Sequence, residues 1–158
     1  LRETRGYTYG IYSHFDYDRA PAPFSIEASV QQDATGASVR EIFKEIAALR
    51  EHPLPPDELA AARDAQLLSL PGQFETNADV GASLTELFVY DLAPDYYDAL
   101  AQRLAEVDAG AVQKAAREWL DPGKMVVVAV GDRRRILPQL QSLGLGQPEI
   151  RDDDGQAK

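Results

Sequence analysis

The chain contains no cysteine and only two histidines among its 158 residues. Without cysteine it can form neither a disulfide framework nor a thiolate metal site. The two histidines, His14 and His52, lie far apart in the sequence, and neither has a glutamate at the spacing of a metal-ligand motif. The sequence therefore predicts no metal site and no metal-dependent catalytic residues within this chain.

Positive charge and long apolar runs are also scarce. Lys and Arg number 16 against 26 Asp and Glu, and the formal net charge is -10. This balance disfavours nucleic acid as a partner, because phosphate binding needs a basic face. No apolar run approaches the length of a membrane span, so we expect none. Residue 1 is Leu and no signal peptide is visible, which suggests a piece of a longer protein.

The first third of the chain has the pattern of a β-hairpin. Aromatic and polar residues alternate over residues 7–17, and apolar residues occupy every second position from Phe24 to Val30. A period of two predicts strands that bury one face. The intervening segment, residues 16–23, contains two prolines and predicts a turn or short loop. Together these segments predict an antiparallel hairpin.

Helical patterns follow the hairpin. Thr35, Asp108 and Asp132 are predicted to cap helices, because their side-chain oxygens can accept from free backbone N–H groups. Pro71-Gly72 leaves two alternatives open, one long kinked helix or two joined helices. In the helix after Asp108, we expect Val112, Ala115, Ala116, Trp119 and Leu120 to face inward. The predicted helices span residues 35–51, 57–70, 73–90, 95–106, 108–120 and 132–143.

The run Met125–Val130 (MVVVAV) is continuously apolar and rich in β-branched residues. This composition predicts a strand that is buried on both faces at the centre of a sheet. With the strands grouped early and the helices in the middle, the element order predicts an α+β fold, a mostly antiparallel sheet with helices packed on one face. Residues 147–158 are polar and predict a flexible tail after a domain of residues 1–146.

The opening residues, LRETRGYTYG, contain the candidate site. If Arg2 ends a helix and Tyr9 opens the next strand, both side chains can converge beside the glycine between them. A guanidinium and a phenol both donate hydrogen bonds, so the pair suits the carbonyl oxygen of a peptide. The alternative is a helix-end cation and an ordinary strand aromatic. We expect Arg5 to cap a helix or to pair at the surface instead of contacting substrate.

These segments, in this order, resemble the C-terminal, non-zinc half of insulinase/pitrilysin-like zinc metallopeptidases, and most closely the processing-peptidase branch found in bacteria. The resemblance covers residues 1–146, and the half domain is expected to be incomplete at its N-terminus. It is carried by LRETRGYTYG, IYSHF, LPPDELAAARDAQLLSLPGQFET and the block from LAPDYYDAL to VVVAVGD.

The resemblance implies a clamshell of two related α+β halves, fused or as separate subunits. The zinc would lie in the partner half, bound by an H-x-x-E-H motif that this sequence lacks. There, zinc-activated water attacks an amide, with Glu as general base. This chain would supply Arg2 and Tyr9 to bind the backbone of a peptide substrate, and we expect no activity from it alone.

A second hypothesis remains open, a non-catalytic scaffold or assembly subunit with the same fold. Retention of both Arg2 and Tyr9 favours the peptidase half, since a scaffold needs neither donor. The bacterial character of the resemblance leaves cytoplasm and periplasm both open as compartments.

Overall fold

The computed structural model describes residues 1, 3, 5–152 and 154–157. Within these residues two strands precede six α-helices, with short 3₁₀ turns between some of them. The mixed content confirms the predicted α+β class. The elements are β1 (Thr8–Phe15), β2 (Phe24–Val30), α1 (Thr35–Glu51), α2 (Pro56–Ser69), α3 (Asn77–Val89), α4 (Tyr96–Glu106), α5 (Ala109–Trp119) and α6 (Arg133–Gln141).

The strands β1 and β2 form a two-stranded antiparallel sheet, as their alternating pattern predicts. Beyond one end of the ladder, the Asp16 N–H donates to Pro23 O at 3.0 Å and closes the proline-containing loop. Beyond the other end, the Gln31 N–H donates to Tyr7 O at 2.9 Å. The hairpin prediction is therefore confirmed, with its loop where the prolines place it.

The chain divides into two compact units. The first comprises Leu1–His14, Ser25–Ala47 and Pro122–Lys158, and the second comprises Phe15–Phe24 and Ala48–Asp121. In the first unit the buried apolar residues include Ala34, Ile46 and Ile136; in the second they include Ala116 and Leu120.

In the first unit, α6 is fastened to the start of α1 by polar contacts. The Gln139 side chain accepts from the Gly36 N–H at 3.0 Å and donates to Gln32 O at 2.9 Å. Arg135 adds an ion pair to Asp33 at 2.6 Å. Gly36 leaves no spare room here, since an added Cβ would lie 2.9 Å from Gln139 Cβ and 3.0 Å from its backbone oxygen.

In the second unit, Arg50 binds the C-terminal end of α5. Its guanidinium donates to Leu120 O at 2.7 Å and to Arg117 O at 3.0 Å, while Arg117 Nε donates to Arg50 O at 2.7 Å. The last carbonyls of a helix have no partner within the helix, so these contacts satisfy groups that would otherwise need water.

Another cluster of the second unit surrounds Tyr97, whose ring meets Phe74 edge-on with centroids 5.1 Å apart. Its hydroxyl donates to the Glu86 carboxylate at 2.8 Å. Burial, and then this hydrogen bond, raise the pKa of Tyr97 above its ordinary value, because both favour the neutral phenol.

Two of the three predicted caps are confirmed. Asp108 accepts from the Ala111 N–H at 2.7 Å, and Asp132 accepts from the Arg134 N–H at 3.0 Å. The prediction for Thr35 is wrong. A 3₁₀ turn precedes α1, so Thr35 is already helical at φ -55° and ψ -54°, and its hydroxyl donates to Gln32 O instead of accepting.

The open question at Pro71-Gly72 is resolved in favour of two helices. A 3₁₀ turn, Pro71–Phe74, separates α2 from α3. The new helix has its own capping box: Thr76 Oγ1 accepts from the Asp79 N–H at 3.2 Å, and the Asp79 carboxylate accepts from the Thr76 N–H at 3.0 Å. Such reciprocal caps mark a true helix start rather than a kink.

The prediction for Met125–Val130 is wrong, since these residues form no strand and are not buried on both faces. Val126, Val128 and Val130 are 86%, 83% and 98% exposed. The physical reason is the lack, within the described residues, of a neighbouring strand to complete a ladder, and β structure exists only through such pairing. The placement of helices on one sheet face stays a prediction.

The inward face expected for α5 is also only partly correct. Ala116 and Leu120 are buried, whereas Trp119 is 69% exposed and Ala115 is exposed as well. Ala116 and Leu120, four residues apart, occupy the buried stripe. Trp119 is the last residue of α5, and most of its side chain is exposed to solvent.

Two glycines in helices should respond with opposite sign to alanine. We expect Gly36→Ala to lower the free energy of unfolding by about 1–3 kcal/mol, because its Cβ would collide with Gln139. Gly81 in α3 has open space around it, so Gly81→Ala should raise that free energy by about 0.5–1 kcal/mol through helix propensity. Urea denaturation followed by circular dichroism measures both. Stabilisation by Gly36→Ala would contradict the close contact.

Two helix-capping aspartates provide a second matched pair. Asp108→Ala should cost about 1 kcal/mol of unfolding free energy, since Ala111 loses its hydrogen-bond acceptor. Asp95 precedes α4 without a side-chain cap bond, so Asp95→Ala serves as the control with a smaller effect. Equal losses in urea titrations of the two variants would show that the Asp108 contact contributes nothing specific.

Candidate functional site

The candidate site begins at Tyr9, the second residue of β1. Its neighbour Thr8 is 8% exposed, and the Thr8 hydroxyl lies 2.6 Å from Ser29 O on the paired strand. The Thr8 hydroxyl oxygen also accepts from the Gly10 N–H at 3.1 Å. Because successive side chains of a strand point to opposite faces, the Tyr9 side chain lies on the other face, where it is 96% exposed.

The turn before β1 is held by its backbone. Gly6 has φ +63°, a left-handed conformation that glycine adopts without steric cost. Gln31 donates its side-chain amide to Gly6 O at 3.0 Å, and the Tyr7 N–H donates to Leu1 O at 3.0 Å. The chain therefore changes direction at Gly6, between the charged residues and the first strand. The hydrogen bonds of this turn fix the start of the strand that carries Tyr9.

Arg2 lies outside the described residues, so its convergence with Tyr9 stays a prediction. The nearby Arg5 is among the described residues. It forms an ion pair with Glu41 of α1 at 3.3 Å, and Glu41 also lies 3.7 Å from Lys44. The expectation that Arg5 pairs at the surface is confirmed.

The phenol of Tyr12, three residues along β1, is on the face opposite Tyr9. Its ring covers Gly10, where an added Cβ would lie 3.1 Å from the Tyr12 hydroxyl oxygen. Tyr12 is 73% exposed and belongs to the same strand. Tyr12 is therefore a suitable control for Tyr9, because it carries the same phenol on the opposite face of the same strand.

Sequence reasoning did not identify a concave surface in the second unit. The hairpin loop and the end of α5 line an open cleft of about 490 Å³, and the Tyr90 hydroxyl donates to Tyr17 O of the loop at 2.8 Å. The sequence signal for this surface was the pair of prolines beside aromatic residues in the hairpin loop. That signal does not show that Trp119 lies near the loop. The lining residues are Phe15, Asp16, Tyr17, Asp18, Ala20, Ala22 and Trp119.

Among the residues that the structure describes, no group of three or more His, Asp or Glu side chains is arranged to hold a metal ion. Over the same part of the chain, no helix combines the length and the apolar character needed to cross a bilayer.

Comparison with known proteins finds similar domains. Residues 1–66 match the family model of the peptidase M16 inactive domain. A similar solved structure is the peptidase M16 inactive domain from Pseudomonas fluorescens, with a TM-score of 0.68 and 24% sequence identity. The alignment covers 76% of this chain and 28% of that chain, so this chain spans less than a third of that protein. No curated protein gives a significant match.

The two matches agree with each other. The solved structure shows that this chain has the fold of an M16 inactive domain. The family model covers the segment that contains both Arg2 and Tyr9. Both matches are to M16 inactive domains, one over residues 1–66 and one over 76% of the chain.

Proposed function

We propose that this chain belongs to the substrate-binding, non-zinc half of a two-half zinc metalloendopeptidase of the processing-peptidase branch, which encloses and cleaves peptides. The observation that carries the proposal is the match of residues 1–66 to the M16 inactive domain. The shared fold over 76% of the chain supports it. The zinc-bearing half is the partner, fused to this one or a separate subunit.

The described residues offer no group that fits zinc, so metal chemistry belongs to the partner half in this proposal. What this chain supplies is orientation. Tyr9 presents a phenolic O–H that is free of the protein core, on a strand held by Thr8 and by the turn at Gly6. The backbone position of this donor is fixed, which limits the reorganisation needed when the phenol binds a carbonyl oxygen.

Arg2 is the second donor of the proposal. A guanidinium next to a phenol would hold one amide from two directions and align the scissile bond with the partner half. Charge-assisted hydrogen bonds are roughly twice as strong as neutral ones, so Arg2 would bind and Tyr9 would orient. Arg5 is not part of the clamp, because Glu41 already holds its guanidinium.

Removal of the Tyr9 hydroxyl should slow peptide hydrolysis by the assembled two-half enzyme. We expect Tyr9→Phe to lower kcat/KM by about 10²–10³, the usual effect of losing an oxyanion donor. Tyr12→Phe is the matched control and should leave the rate unchanged, because this phenol lies on the opposite face of β1. Equal rates for both variants and the native enzyme would contradict a role for Tyr9.

Loss of the Arg2 guanidinium should act mainly on substrate binding. In the same assay Arg2→Ala is expected to raise KM and lower kcat/KM, whereas Arg5→Ala, which removes only a surface ion pair, should change neither. Unchanged turnover in Arg2→Ala would remove the clamp from the proposal but leave the fold assignment intact.

The isolated chain should hydrolyse no peptide and retain no stoichiometric zinc. Metal analysis after dialysis against a weak chelator, together with a fluorogenic peptide assay, measures both. Retained zinc would contradict a metal site located in the partner half.

The scaffold hypothesis predicts a different genetic context. An H-x-x-E-H motif in the sequence preceding Leu1, or in the neighbouring reading frame, supports the peptidase. Its absence from both places favours an assembly subunit with the same fold.

A further inference from the structure

The open cleft between the hairpin loop and the end of α5 has aromatic walls, and it lies entirely within the second unit. Tyr17 is 80% exposed and Trp119 is 69% exposed, although both line the cleft. Across the part of the chain that the structure describes, neither ring pairs with another aromatic side chain. Phe15 differs, because its ring lies against Phe24 with centroids 4.7 Å apart. The indole and the phenol therefore present open ring faces to a ligand.

The backbone on both sides of the cleft is anchored. The Tyr90 hydroxyl donates to Tyr17 O at 2.8 Å on the loop side. On the helix side, the Arg50 guanidinium donates to the carbonyl of Leu120, the residue after Trp119, at 2.7 Å. A ligand thus meets walls whose backbone is already held, which lowers the entropy lost when the cleft is filled.

The second unit also carries the whole net charge of the chain. It contains 16 Asp and Glu against 6 Lys and Arg, whereas the first unit contains ten of each. Two of these carboxylates, Asp16 and Asp18, line the cleft. Asp18 Oδ1 accepts from the Arg19 N–H at 2.6 Å, and among the described residues no cationic side chain pairs with Asp18. Carboxylates beside open aromatic faces favour a cation.

We propose that this cleft is the docking site for one arginine side chain of the zinc-bearing partner half. The guanidinium stacks on the Trp119 indole and donates to the Asp18 carboxylate. Arginine suits such a cleft better than lysine, because its planar guanidinium both stacks on aromatic faces and binds carboxylates as a fork. The proposal rests on the proposed function, which supplies the partner half.

The form of the cleft favours a folded partner over a free cation. A small ligand is normally held in a pocket that buries most of its surface, and this cleft is open. At protein interfaces, by contrast, Trp, Tyr and Arg carry much of the binding energy and the surrounding contacts exclude water. A second copy of this chain is disfavoured, because it has the same net charge of -10 and is repelled.

The chain contains a single tryptophan, so its intrinsic fluorescence reports on this cleft. The probe is the capped pentapeptide acetyl-Gly-Leu-Arg-Leu-Gly-amide, titrated into the 158-residue chain up to millimolar concentration. We expect a saturable change in the Trp119 emission. The same peptide with citrulline in place of arginine keeps the shape but loses the charge, and should bind about tenfold more weakly because the cation–π attraction is removed.

Two variants of this chain remove one negative charge each. Asp18→Asn keeps an oxygen for the Arg19 N–H but loses the carboxylate, and should weaken binding of the arginine peptide by about threefold, as for an exposed ion pair. Asp57→Asn, in the first turn of α2 and outside the cleft, is the matched control and should bind like the native chain. Both side chains are on the surface, and circular dichroism checks that the fold is retained.

The source of the arginine is tested in the assembled two-half enzyme without substrate. Hydroxyl-radical footprinting, read by mass spectrometry at Trp119 itself, measures how accessible this side chain is. We expect Trp119 to be oxidised about fivefold more slowly in the assembled enzyme than in the isolated chain, because an occupied interface excludes water. Asp18→Lys, which repels an arginine, should restore most of the fast oxidation.

Equal binding of the arginine and citrulline peptides would overturn the assignment of the cleft to arginine. Equal oxidation of Trp119 in the isolated chain and the resting enzyme would overturn the assignment to the zinc-bearing half. Protection that appears only with peptide substrate, or that rises with the concentration of this chain alone, would do the same and would make substrate or a second copy the occupant. None of these measurements follows catalysis, so a failure here is distinct from loss of the Tyr9 effect on peptide hydrolysis.

Discussion

The contact between α6 and the start of α1 is the constraint on which the first unit depends. Gln139 uses both ends of its amide, accepting from the Gly36 N–H and donating to Gln32 O. The helices approach so closely that only a hydrogen fits at residue 36. This contact orders the 3₁₀ turn that follows β2, and the same unit contains the first residues of β1, including Tyr9.

The described surface has an unusual distribution of apolar groups. Few large side chains are buried, while Tyr9, Trp119 and alternate valines of residues 126–130 are mostly exposed. Polar groups at two helix ends, by contrast, are matched, as the carbonyls bound by Arg50 and the capping box at Thr76 show. These helix ends have their backbone groups satisfied within the chain, whereas the large apolar side chains named above lie on its surface.

Local sequence patterns correctly predicted those elements whose boundaries are set by neighbouring residues. The prolines of residues 16–23 mark the hairpin loop, and the side-chain oxygens of Asp108 and Asp132 mark two helix starts, because these effects act over a few residues. The errors share another cause. Thr35 failed as a cap because a 3₁₀ turn had already begun, and residues 125–130 failed as a strand because pairing requires a distant partner.

The candidate site also combines features set by the local sequence with features set by tertiary contacts. From the sequence alone came the α+β class, the turn at Gly6 and the choice of Tyr9 as a donor, since each depends on residue chemistry and nearest neighbours. The tertiary structure decided that the Tyr9 phenol is exposed rather than packed, that Glu41 holds Arg5, and that Trp119 lines an open cleft with the hairpin loop. These facts depend on contacts between residues far apart in the chain, and no local pattern specifies which distant surfaces meet.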